Sequence, residues 1–190
     1  MITILRSPFC RTRGPQSLET SSGWIADIHP PKLIVGLSLT LDTELSFPRG
    51  VRAFPAILDT GLNRTLEIDE RHLTEWSDYD ESWLVAIEGG QTLKDKESSV
   101  SDYYVSNAHI WLHRTPYENP SKLATKSPVL LKRSLQVRVM APKTAHPWPP
   151  LPLLGLEALT ANDLQLCINS KRCEFTISCS LTSFVLDFMF

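Results

Sequence analysis

The sequence predicts an all-β barrel or sandwich with one or two short helices. Many short apolar or alternating runs are bounded by Gly, Pro, Asn and Ser. Only two stretches carry a helical signature, and both are brief. At 190 residues the chain can bury the core of a single domain, and length alone does not demand two.

Residues 1–23 mix Arg, Ser, Thr, Gly and Pro without sustained periodicity and are expected to be a flexible tail, leaving 24–190 as the domain. LIVGLSLTL (33–41) and VRAFPAIL (51–58) read as strands joined by a turn at Pro48 and Gly50. TLEI (65–68) is a further short strand. Asp69 follows as the N-cap of a helix over ERHLTEW, in which Leu73 and Trp76 share a face. SWLVAI (82–87) reads as a strand ending at Gly89-Gly90, and a charged loop leads to a β-rich run, YYVSNAHIWLHR (103–114). VLLKRSLQVRVM (129–140) alternates as one strand, and PKTAHPWPPLP is a stiff connector. LPLLGLEAL passes from strand through Gly155 into a short helix. LQLCI (164–168) and CEFTISCSL (173–181) form a hairpin around NSKR, and SFVLDFMF (183–190) is apolar enough for one more strand.

Composition narrows the function. A formal net charge of -2 and a pI near 6.2 give no basic field for nucleic acid or an anionic membrane. No apolar run approaches the roughly 18 residues of a spanning helix, and the N-terminus lacks the order of charge and apolar segment that marks export. Cys10, Cys167, Cys173 and Cys179 contain no C-x-x-C pair and no histidines at zinc-finger spacing, so no structural metal is expected. Cys167 and Cys173 are spaced for a hairpin disulfide, but buried free thiols in a reduced, cytoplasmic compartment are the simpler expectation.

The chemistry concentrates in AFPAILDTGLNRTLEI (53–68), where an apolar strand runs into Asp59-Thr60-Gly61. A charge at the end of a buried strand is costly unless hydrogen bonding or function compensates it. An ordinary turn is the alternative, with Asp59 and Thr60 bonding local backbone and Gly61 supplying a positive φ. The second element is Leu153-Leu154-Gly155, followed by Leu156 to Leu159.

Together, AILDTG and the later PLLGLEAL resemble the paired signature of the retropepsin-like aspartic proteases, in family order from about residue 32 to 181. The resemblance implies a retropepsin-like acid-protease barrel in which the apolar-apolar-Gly strand passes behind the Asp-Thr-Gly loop. There Gly155 is needed because a side chain would collide with backbone. It also implies an aspartic endopeptidase that uses no cofactor. Two aspartates about 3 Å apart do not both ionise easily and share a proton, the aspartic-protease dyad being the standard instance. One then activates a water and the other polarises the scissile carbonyl. Only one Asp-Thr-Gly and no internal repeat are present, so the resemblance implies a homodimer that pairs Asp59 with its symmetry mate. Thr60 would hydrogen-bond across the dimer, and Gly61 would let the peptide or protein substrate approach.

The chain departs from the family at Leu62, where a small residue is usual. That departure motivates a second reading, a retropepsin-fold dimeric binding module that no longer cleaves. A third is an unrelated β-barrel with a chance Asp-Thr-Gly. A flap is expected within 89–102, with Gly89 and Gly90 either in it or in an ordinary hairpin turn. His109 and His113 in HIWLH lack a third ligand and an adjacent Glu, so they read as surface or packed histidines rather than a metal pair.

Overall fold

The computed structural model describes residues 1–9, 16–20, 23, 25–28, 31–41, 43, 46–78, 93–94, 100–101, 103–117, 127–131, 136–140 and 151–180. The expected strands at 82–87 and 183–190 lie outside these residues, as do Gly89, Gly90 and Cys10.

The protein is mostly β, with a closed six-strand mixed barrel and two short helices. The barrel strands are β4 (Ile34–Leu41), β5 (Phe54–Asp59), β6 (Leu66–Asp69), β9 (Tyr103–Leu112), β11 (Gln136–Met140) and β12 (Leu153–Gly155). Their order around the barrel is β9-β11-β6-β12-β5-β4, closed by β4 on β9. Pairing is parallel for β5 with β12 and for β6 with β11, and antiparallel elsewhere. Alternation sends Leu37, Leu39, Phe54, Ala56, Leu58, Leu66, Ile68, Ile110, Val137, Val139 and Leu154 into one buried core.

The run 129–140, expected as one strand, is two. β10 (Val129–Leu130) pairs with Leu112 and Trp111 of β9, and β11 pairs further back along β9 from Asn107 to Tyr103. One long strand thus serves two short partners.

The N-terminal segment is a correction to the expected tail. β1 (Ile2–Pro8) pairs antiparallel with β14 (Glu174–Cys179), which pairs in turn with β13 (Leu164–Asn169). A register shift between Thr3 and Leu5 turns both Ile4 and Leu5 inward. Such a bulge erases the alternation that would have revealed the strand. β2 (Gln16–Glu19) pairs with β3 (Ile25–Ile28), and the Tyr117 hydroxyl donates to the Glu19 carbonyl at 2.8 Å.

Helix α1 (Glu70–Trp76) begins where expected. The Asp69 side chain accepts the Arg71 N–H, and Leu73 and Trp76 are buried. His72 is buried too and stacks on Trp76 with ring centroids 3.4 Å apart. Helix α2 (Leu156–Thr160) follows β12 directly. No helix among the described residues is long and apolar enough to cross a membrane.

Cys167, Cys173 and Cys179 are free. In the β13–β14 hairpin Cys167 faces Thr176, which rules out the Cys167–Cys173 bridge that spacing allowed. Of these three Cys179 is buried, while Cys167 is exposed, against the expectation of buried thiols.

Candidate active site

The topology explains why Asp59 and Gly155 meet. β5 and β6 are consecutive in sequence, yet β12 is inserted between them. The loop joining them must therefore cross the end of β12, a span of roughly 10 Å at normal strand spacing. Asp59 ends β5 and is half-buried, and in the parallel register it lies opposite Gly155, with Leu58 opposite Leu154 and Ile57 opposite Leu153.

The crossing loop is stitched to the strand beneath it. Gly155 N–H donates to the Thr65 carbonyl at 2.9 Å, and Leu156 N–H donates to the Leu62 carbonyl at 3.2 Å. The second bond satisfies one of the orphan donors at the start of α2, whose N-cap Gly155 offers no side chain. A Cβ on Gly155 would lie 2.7 Å from the Leu62 carbonyl oxygen and closer still to that of Arg64. Real side chains do not enter such space, so the glycine is required by the crossing itself.

The Asp59 carboxylate is oriented from within the loop. Its Oδ1 accepts the Gly61 N–H at 2.8 Å, and Leu62 N–H donates to the Asp59 carbonyl at 3.3 Å. Among the described residues no other group hydrogen-bonds the carboxylate. The positive φ that the ordinary-turn alternative would ask of Gly61 is not found; Gly23 and Gly50 are the glycines with positive φ among the described residues. A Cβ at Gly61 would instead meet Asp59 Oδ1 at 3.3 Å. Absence of a side chain there leaves room for the carboxylate to receive the amide. Thr60 and Gly61 are exposed and Leu62 is half-buried.

Asp59, Thr60, Gly61, Leu62, Leu153, Leu154 and Gly155 are thus gathered at one end of three adjacent strands. Within the interval expected to hold a flap, β7 (Leu93–Lys94) pairs antiparallel with β8 (Val100–Ser101). The Pro152 carbonyl accepts the Ile57 N–H at 2.8 Å, so the proline-rich lead-in ends as part of the sheet.

Sequence reasoning missed a charged line beside this site. Arg138 is only 3% exposed and donates from Nη1 to Glu67 Oε1 at 3.0 Å. The Arg64 Nε lies 3.9 Å from the same oxygen. The available signal was a charge flanked by apolar residues in two strands, LEI and VRV.

The histidine pair is packed elsewhere. His109 and His113 are buried on β9 and just beyond its end; His113 Nε2 is 2.9 Å from Ser38 Oγ, which donates to the Arg52 carbonyl. Phe47 stands edge-on to both His113 and Trp111. Among the described residues no group of three or more His, Cys, Asp or Glu side chains is placed to hold a metal.

No family model, curated protein or solved structure matches the chain.

Proposed function

We propose that this chain is half of a retropepsin-like aspartic endopeptidase, completed when a second copy brings its own Asp59 to the first. The observation that carries the reading is the register of Asp59 against Gly155, with the Gly61 amide on the carboxylate. It supports the two sequence signatures being parts of one site rather than two coincidences. A turn that only reverses the chain has no need of a strand inserted beneath it at a position where no Cβ fits.

In this reading the two Asp59 carboxyls share one proton across a two-fold axis. The charged member takes a proton from a water positioned between them, and the water oxygen attacks the peptide carbonyl. The protonated member hydrogen-bonds the carbonyl oxygen as charge builds there, and the amine leaves with a returned proton. The Gly61 amide aims the carboxylate, while the loop's bonds to β12 and α2 hold the turn rigid. The exposed Thr60 is free to meet its counterpart. The substrate is a peptide or protein, no cofactor takes part, and the chain works in the cytoplasm.

The test is hydrolysis of denatured casein and a peptide library across pH, with Asp59→Ala as control. The reading predicts cleavage by the wild type that the substitution abolishes; cleavage that survives it removes Asp59 from the mechanism.

A second reading is favoured by Leu62, half-buried immediately after the exposed Gly61. Its bulk at this position suits a dimeric module that binds peptides without cutting them. Leu62→Ala discriminates: a gain of cleavage in an inert wild type supports the binding module.

A further inference from the structure

On the face of the sheet that carries Asp59, the register sets four side chains in a row. Ile57 is opposite Leu153, Leu153 opposite Glu67, and Glu67 opposite Arg138. Directly paired residues share a face, as do residues two apart on one strand. The row therefore runs away from the site on Asp59's own side, and Glu67 lies roughly 12 Å from Asp59 by two strand spacings and two residue rises. Its near half is apolar and half-buried at Ile57 and Leu153. Its far half is the ion pair of the buried Arg138 with the half-buried Glu67.

Arg64 reaches this row from the Asp59 loop. Its side chain is 43% exposed, and its charged contact among the described residues is Glu67 at 3.9 Å. The same carboxylate oxygen is already held by Arg138 at 3.0 Å. A guanidinium at hydrogen-bond distance and nearly free of water takes most of what that oxygen offers, while a contact at 3.9 Å next to solvent contributes little. Arg64 is thus a half-exposed cation with a weak internal partner, fixed at its backbone by the tight passage over Gly155.

We infer that Arg64 is a specificity-determining residue that favours peptides with an acidic side chain close to the attacked bond. Arg64 Nε lies beside Glu67, at 3.9 Å from its carboxylate, and Glu67 is roughly 12 Å from Asp59; since an extended peptide rises about 3.4 Å per residue, that acid falls within about four residues of the bond. Apolar side chains between the two are accommodated against Ile57 and Leu153. The inference rests on the peptidase reading for its reference point, but the recognition is a binding property and is measurable without cleavage.

The experiment uses fluorescein-labelled peptides of matched length carrying Glu, Gln or Lys at each of four positions on either side of a central apolar pair. Binding is measured by anisotropy on the full-length Asp59→Asn chain, alone and combined with Arg64→Gln or Arg64→Glu. Cleavage of the same peptides is measured on wild type and on the two Arg64 variants. Glu peptides should bind about fivefold tighter than Gln peptides at low salt, as expected of a partly exposed ion pair, and the margin should shrink at 0.5 M salt. Arg64→Gln should erase the preference, and Arg64→Glu should turn it toward Lys. Circular dichroism of each variant confirms that the barrel is retained; Arg64→Gln introduces no repulsion with Glu67.

Asp59-dependent cleavage with no acidic preference, or with one that Arg64→Gln leaves intact, overturns the inference and leaves the peptidase reading standing. An Arg64-dependent preference in binding without any cleavage supports the inference and overturns the peptidase reading. Neither binding preference nor cleavage overturns both.

Discussion

Gly155 lies opposite Asp59 in the parallel pairing of β12 with β5, directly under the backbone that leads away from the acid. The loop cannot lift away without losing the bonds from Gly155 and Leu156, and it cannot settle lower because the Arg64 and Leu62 carbonyls already rest on Gly155. These backbone contacts hold Asp59 at the end of β5 beside Gly155.

Gly155→Ala should be severely destabilising. The added methyl meets the carbonyl oxygens of Arg64 and Leu62, which are backbone atoms and cannot rotate away. We expect a loss of about 3 kcal/mol or more, at the upper end of overpacking effects. Urea unfolding of Gly155→Ala beside Gly50→Ala checks it, because Gly50 has open space around its Cβ position and carries only the cost of its positive φ. Equal midpoints for the two variants would contradict the crossing geometry.

The Glu67–Arg138 pair should show strong coupling. Arg138 is nearly inaccessible, so removing Glu67 takes from a buried charge its carboxylate partner at 3.0 Å, a change that commonly costs about 3 kcal/mol. Glu67→Gln and Arg138→Gln should each destabilise, and the double variant should be more stable than the two losses added together predict. A double-mutant cycle by urea unfolding with no coupling energy would show that the contact at 3.0 Å contributes nothing.

Acid should weaken the fold through His72. Burial first, and the neighbouring Arg71 second, lower its pKa from 6.5 to about 3. The folded state therefore holds the ring neutral, while the unfolded chain takes up its proton near 6.5. His72's contribution is intact above that pH and is lost progressively as pH falls toward 3. Thermal midpoints between pH 7 and pH 4 should fall less steeply in His72→Phe, which keeps a ring against Trp76 without the titration. Parallel slopes would remove His72 as a cause.

Leu5→Ala should cost about 2–4 kcal/mol, as for other fully buried leucines, whereas Thr3→Ala on the exposed side should be close to neutral. Chemical denaturation distinguishes a strand from a tail, in which neither change would register.

Local signals in the sequence were readable where the physics is local. Asp69 before ERHLTEW marks the start of α1 because a cap and its helix are neighbours in sequence. NSKR marks the β13–β14 turn, and LPLLGLEAL the passage from β12 into α2. The strand at 2–8 was hidden because its bulge buries Ile4 and Leu5 in succession. The division of 129–140 depends on how β9 is shared, which no residue within the stretch declares. In the candidate site Asp59 and Gly155 stood out as motifs. Glu67 and Arg138 did not, since they meet only through the parallel pairing of β6 and β11. Gly61 belonged to the motif, but its amide bond to Asp59 Oδ1 and the close approach of that carboxylate follow from the fold of the loop, which the tripeptide itself does not declare.

The central claim is that each chain supplies one acid of a two-acid site. Mixing wild type with Asp59→Asn at fixed total concentration, under conditions where chains exchange, tests it through the initial rate of peptide hydrolysis. The rate should follow the square of the wild-type fraction, since only dimers with two aspartates cleave. A rate falling in simple proportion, or no hydrolysis by the wild type at any pH or concentration, would contradict it.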